Sequence, residues 1–345
     1  MEVGLSSGQL ALRDSVRDVL RAECPPGVAR QAMIDPECWR TVWKTVVDLG
    51  WTELAAPDSD FGRLDLVVVL EECGAAIAPI PLLACVGLAG GVLRAAGLDD
   101  VLRDISGGVV ATLAVHPPGH RLPGVPMTLR DGRLRGRAVA VPWASSAELL
   151  VTLADTTDGV VAAVARIGDG VAVTPGECTD PAQPVADVDI DTTPLAVAVV
   201  DVETALATPL LAAAADLVGV ASAALSRSVE HAKSRQQFGK PIGAFQGVKH
   251  ALADNYVALE RARSLTYAAA ARPDSWTAAA LAKAAAGDAA VGCCRNAVQV
   301  HGALAQTWEH DIHLYLRHAW QGAAALGDSR ALYHQVGRRF AGGAA

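Results

Sequence analysis

The chain has 345 residues, 51% of them hydrophobic and only 4% aromatic, and carries a formal net charge of −8. That length allows two or three domains around a large core. A net acidic balance without a lysine or arginine block argues against nucleic-acid binding, and abundant alanine points to closely packed helices.

The first residues, MEVGLSSGQLALRDSV, lack the basic segment and apolar core of a signal peptide. Residues 7–104 read as helices. Leu10, Leu12, Val16, Val19 and Leu20 make an amphipathic face behind Ser6-Ser7, which supplies a cap. Trp39 to Leu49 makes a second helix, with Gly50 as its stop. Leu64 to Ala76 makes a third. Its adjacent Glu71 and Glu72 point about 100° apart on a helix, so one is expected to be solvated and the other to make a structural contact. Pro79 and Pro81 precede a further helix to about Ala96.

Residues 109–203 change character. Val109–Val115 is a short β-branched run, and Met127–Val141 alternates around a hairpin turn at Asp131-Gly132. Leu149–Leu153, Gly159–Ile167 and Val171–Thr174 follow, so five or more short strands make a small β-barrel or sandwich. From Thr204 the chain is helical again. Leu195–Leu225 is very apolar, but Asp201, Glu203, Pro209 and Asp216 interrupt it, which favours a buried helix over a membrane span. Helices then run over Leu210–Arg235, Gln246–Ala271 and Trp276–Val300, with Asp274 or Ser275 as the last N-cap. Seven scattered cysteines show no zinc-binding spacing and read as reduced thiols of a cytoplasmic protein.

The densest stretch is Ser234–Ala253, SRQQFGKPIGAFQGVKHALA. Arg235 precedes a helix start in which Pro241 suits the first turn. Phe245, Val248, Leu252 and Tyr256 then recur at helical spacing as one apolar stripe. Arginine at a helix start suits a phosphate group.

This run, R-Q-Q-F-G-K-P-I-G-x-F-Q-x-V-x-H-x-L-A, closely resembles the signature of the acyl-CoA dehydrogenase family of flavoproteins. The resemblance implies three parts: an N-terminal helical domain over 1–108, a β-domain over 109–203 and a C-terminal four-helix bundle over 204–345. It implies that Arg235, Gln237, Phe238, Phe245 and Gln246 contact an FAD held mainly by a neighbouring subunit. Gln299, His301 and Gly302 resemble the family's Q-x-x-G-G element, another FAD contact, with Ala303 replacing its second glycine. The run Thr307–Arg317, TWEHDIHLYLR, resembles small actinobacterial subunits of the family, several of which work as mixed oligomers. Glu309, His310, Asp311 and His313 cluster within it, but in a segment that the family uses structurally, so no metal site is expected.

The chain also departs from the pattern. The family's T-E-P-x-A-G-S-D-like flavin loop is replaced by Thr112–Gly119, TLAVHPPG, which lacks its acidic and hydroxyl groups. Trp143 falls near the family's W-I-T-N segment, where it either covers a flavin face or is a core tryptophan. The family's reaction removes an α-proton from an acyl-CoA thioester with a glutamate while a hydride passes to the flavin. Its two usual positions for that glutamate fall on Leu326 and on Pro209-Leu210, so both carboxylates are missing. Asp328 is the only nearby candidate, two residues out of register. Three readings stay open: an FAD-dependent dehydrogenase subunit with an unusual or borrowed base, a non-catalytic partner that completes a neighbour's FAD site in a homo- or heteromer, and a non-redox acyl-thioester enzyme.

Overall fold

A computed structural model describes residues 4–272 and 275–342. The N-terminal helices are α1 (Ser7–Glu23), α2 (Pro26–Ala32), α3 (Trp39–Asp48), α4 (Arg63–Ala76), α5 (Gly90–Ala96) and α6 (Asp99–Ser106). Ser6 caps α1 by a reciprocal exchange with Gln9. Gly50, at φ 75°, ends the segment after α3 as the sequence predicts. The helix expected up to Ala96 is not regular, because its first part, Leu83–Ala89, winds as a π-helix, a form that clusters at functional sites.

Eight strands follow: β1 (Ala111–Ala114), β2 (Met127–Arg130), β3 (Arg133–Pro142), β4 (Leu149–Thr156), β5 (Gly159–Arg166), β6 (Val171–Pro175), β7 (Val185–Thr192) and β8 (Ala196–Val199). They form one sheet in the order β6-β7-β3-β2-β4-β5-β8, with β1 on β4. The pairs β1–β4 and β2–β4 are parallel and the others antiparallel. Asp131 and Gly132 both take positive φ, which is the turn that a two-residue hairpin requires. Strand β4 is buried on both faces over 149–154 and apolar there apart from Thr152. Leu149, Val151 and Leu153 join the helical core, while Leu150 and Ala154 join the sheet's own core. Sequence pattern missed β7, whose outward residues are aspartates, and β8, which lies inside the apolar run read as helix.

The C-terminal part contains α7 (Val202–Ser234), α8 (Gln246–Ala270), α9 (Trp276–His301), α10 (Ile312–Ala324) and α11 (Ser329–Gly342). Ser275 caps α9, while Asp274, the other candidate, lies outside the described residues. Helix α7 is long and apolar enough to cross a membrane, but 94% of its most apolar window is buried inside the fold. It packs against α4 in backbone contact: a Cβ on Gly219 would lie 1.9 Å from the Glu71 carbonyl, and one on Gly74 2.0 Å from the Asp216 carbonyl.

Two local expectations are corrected. Pro241 does not open a helix. It pairs with Gln236 in a two-stranded hairpin, β9 (Gln236–Gln237) and β10 (Lys240–Pro241), turned by Phe238 and Gly239 at φ 51° and 74°. A 3₁₀ turn over Ile242–Ala244 follows before α8 begins at Gln246. The stripe Phe245, Val248, Leu252 and Tyr256 lies toward the outer side of α8, with Leu252 packed against the core. The first three are half-buried and Tyr256 is 58% exposed, whereas α8 turns Leu259, Ala262 and Ala269 inward. Finally, neither Glu71 nor Glu72 is solvated. Glu72 takes a two-pronged bond from Arg17, and Glu71 accepts from Arg263 and Tyr267. Both line a polar cavity of about 550 Å³ between α1, α4, α7 and α8. The Glu72 pair joins α1 to α4, and the Glu71 contacts tie α4 to α8 of the bundle.

Candidate functional site

Two regions carry the residues that the sequence singles out. The first is a face formed where α7, the hairpin, α8 and α9 end or begin. Arg235 follows α7 immediately, and among the described residues its exposed guanidinium has no hydrogen-bond or ion-pair partner. Gln237 is exposed in β9. Phe238, at the hairpin tip, is 92% exposed and meets Phe245 edge-on at 6.1 Å. Lys240 lies 4.4 Å from the Phe245 ring. Gln246 opens α8 on the exposed side. Gln299 and His301 belong to the last turn of α9, and Gly302 ends it at φ 70° and ψ −151°, a conformation open only to glycine. Thus an exposed guanidinium, exposed amide side chains, two phenylalanines and a glycine-opened backbone mark this face. Such a set fits a dinucleotide's diphosphate and its flat rings.

The second region is a cleft between the sheet and α10. Its outer compartment has a volume of about 540 Å³ and includes His116, Arg121, Cys178, Trp320 and Asp328. Its inner compartment, of about 100 Å³, is mostly apolar and lies among Leu83, Leu88, Trp143, Ala213 and Gly322. Leu88, Ala140, Pro142, Gln321 and Leu326 belong to both, so they form the neck. A bulge in β3 between Ala138 and Val141 shapes one wall.

Leu326 is buried and held in the left-handed region at φ 54°. Half-buried His116 and buried Lys283 hold the turn that contains it. The Leu326 amide donates to His116 Nε2 at 3.1 Å. Lys283 Nζ donates to the carbonyls of Ala323 and Gly327 at 2.7 and 2.6 Å. Burial, reinforced by Lys283, pushes the His116 imidazole down to about 4, so it stays neutral and accepts. Burial likewise pulls Lys283 down to about 7, against the attraction of Asp328 and Asp288.

Asp328 has both carboxylate oxygens engaged. Oδ1 accepts from the Ala331 amide at 2.9 Å at the start of α11, and Oδ2 lies 3.1 Å from Arg121. Trp143 lies in this cleft region rather than on the Arg235 face. It is buried, edge-on to Trp39 at 5.6 Å, with its indole N–H donating to Gln183 at 2.9 Å. The same side chain also lines the inner compartment.

Sequence reasoning missed His116, Lys283 and a buried group on the inner wall. There His318 of α10 lies between Asp180 at 3.1 Å and Asp216 of α7 at 2.9 Å. Burial opposes its charge, but the two carboxylates outweigh it and lift the imidazole to about 10. The only sequence signal for Lys283 is a lone lysine in an alanine run.

A helical N-terminal part, a central sheet and a helical bundle that ends in a free arginine–aromatic face define the class of fold. Comparison with known proteins agrees. The N-terminal domain model of acyl-CoA dehydrogenases matches residues 6–104, and the C-terminal domain model matches residues 202–341. The acyl-CoA dehydrogenase IpdE2 of Mycolicibacterium smegmatis is 33% identical over 343 residues, which is 94% of this chain and 96% of that one. The ChsE4–ChsE5 complex from Mycobacterium tuberculosis contains a chain that superposes with a TM-score of 0.90 at 28% identity, covering 99% of both chains. The steroid acyl-CoA dehydrogenase Tcur3481–Tcur3483, as its G363A variant, gives 0.89 at 25% identity, covering 98% of both. The chain belongs to the acyl-CoA dehydrogenase family.

Proposed function

We propose that this chain is a subunit of a heteromeric acyl-CoA dehydrogenase. In this reading it offers the Arg235 face to an FAD held mainly by a partner subunit, and it does not supply the base that removes the α-proton. The observation that carries this is the contrast between the two regions. The Arg235 face leaves its guanidinium and Phe238 exposed, while the position that the resemblance gives to the base is a buried leucine in a turn held by His116 and Lys283. Leucine cannot take a proton, and Asp328 is committed to a helix cap and to Arg121.

Bound FAD would supply the hydride acceptor. The chain's own contribution would be to hold the diphosphate with Arg235, to cover the cofactor with Phe238 and Phe245, and to let backbone approach at Gly302. Gln237, Gln246, Gln299 and His301 would add hydrogen bonds there. The partly exposed stripe of Phe245, Val248, Leu252 and Tyr256 would pack against the partner. Two of the similar structures are themselves named as two-component assemblies. The substrate would be an acyl-CoA or related thioester of lipid or steroid breakdown. The cysteines are all free, which fits the reducing cytoplasm.

The test is the visible spectrum of the chain purified alone and with its genomic partner. This reading expects a colourless chain that yields a yellow complex. A yellow, active chain on its own would instead support an FAD-dependent dehydrogenase with an unusual base. A colourless complex that still turns over thioesters would support non-redox chemistry.

A further inference from the structure

Three imidazoles form a column beneath the Arg235 face. His231 of α7 and His301 of α9 stack with ring centroids 4.2 Å apart and 28° between planes. His301 meets His310, in the segment after α9, at 5.0 Å and 64°. The column is tied to the face at both ends of its first pair. The Arg235 amide bonds the His231 carbonyl at 2.8 Å, and Gly302 follows His301.

Hydrogen bonds set the neutral tautomers. His301 Nδ1 lies 2.8 Å from the Ala297 carbonyl, which can only accept, so Nδ1 carries the proton and Nε2 is left as an acceptor. The Ile312 amide donates to His310 Nδ1 at 3.2 Å, so the neutral His310 ring keeps its proton on Nε2.

The surrounding charge is mostly positive. Arg235 faces His231, Arg227 of α7 faces His301 and His310, and His313 of α10 faces His310. The carboxylate acting on His310 is Asp311, which already pairs with Arg30 at 2.7 Å and Arg227 at 3.6 Å. Burial first, and these cations after it, hold all three imidazoles below their usual range.

We infer that His231 and His310 are positioning residues for His301, and that the column couples anion binding on the Arg235 face to the uptake of a proton. This rests on the cofactor-face reading above. A diphosphate on the face offsets the Arg235 charge, which adds to burial in keeping the His231 end of the column neutral. One imidazole then takes a proton, and the contact between rings opposes a second. Binding therefore strengthens as pH falls.

The test is calorimetric titration of FAD into the flavin-stripped complex, in two buffers of different ionisation enthalpy. A linked proton changes affinity at most about tenfold per pH unit, so the expected gain between about pH 7.5 and pH 6.5 is roughly three- to tenfold, with measurable proton uptake. His231→Gln and His310→Gln should flatten this dependence while leaving affinity at about pH 8 within roughly twofold. A purely structural role would lower affinity by the same factor at every pH. Wild-type binding without proton uptake, or variants that keep the full pH slope, would overturn the inference. Arg235→Ala separates the two ideas. If it leaves FAD affinity unchanged, the cofactor-face reading itself fails. If it weakens binding that proves pH-independent, only the histidine coupling fails.

Discussion

The amide of Leu326 donates a 3.1 Å hydrogen bond to Nε2 of His116, a residue 210 positions earlier in the chain. This bond joins the segment after β1 to the turn before α11, and it fixes a leucine at the neck of the cleft. Leu326→Glu should therefore not convert the chain into a dehydrogenase. A carboxylate there is buried in an apolar neck, which costs about 2–4 kcal/mol of stability and provides no seat for a flavin ring. The check is thermal unfolding together with turnover of an acyl-CoA panel. New turnover by the variant alone would show that one side chain was all the site lacked.

Asp328→Asn should leave turnover of the complex within a few-fold of wild type. Asparagine keeps the cap on α11, and a positioned general base contributes about 10²–10⁴-fold. Loss of activity with normal flavin colour would make Asp328 the base and this chain the catalytic one.

Lys283 and His318 give opposite pH dependences. Folding lowers Lys283 from 10.5 to about 7, so the unfolded state binds more protons and stability rises with pH across that window. Folding raises His318 from 6.5 to about 10, so its contribution is full below 6.5 and is lost as pH rises toward 10. The two slopes oppose each other between about pH 7 and pH 8.5, each at most about 1.4 kcal/mol per pH unit. Lys283→Met should uncover the falling limb. Its stability should drop by about 1–2 kcal/mol over that range where wild type stays nearly level, as read from urea midpoints at several pH values.

Gly219→Ala should be among the most damaging single-methyl changes in the chain. The new Cβ would lie 1.9 Å from the Glu71 carbonyl and 2.6 Å from the Ala75 amide, so α4 and α7 must separate. The expected cost is about 3 kcal/mol or more. Gly292→Ala on α9 meets nothing within 4 Å and should instead gain about 0.5–1 kcal/mol from helix propensity. Urea unfolding of the pair compares the two directly.

What the sequence reveals depends on how far apart the partners are. The Arg235–Gln246 run is legible because its chemistry is contiguous, and the change from strand to helix near residue 200 follows from period. Glu71 and Glu72 are misjudged because their partners, Arg263 and Arg17, stand 192 and 55 residues away. His318 is invisible for the same reason, since Asp180 is 138 positions distant. The α8 stripe is read correctly as apolar. Its depth cannot be read because the neighbours that half-cover Phe245, Val248 and Leu252 are set by the tertiary fold.

The most direct test is the flavin content of the co-purified complex with Arg235→Ala in this chain only. A charge-assisted bond to a diphosphate contributes about 1.5–3 kcal/mol, or roughly ten- to a hundredfold in affinity. The account predicts a folded complex of normal stoichiometry that loses FAD on dilution and regains it when FAD is added in excess. Full flavin occupancy after the same dilution would contradict it.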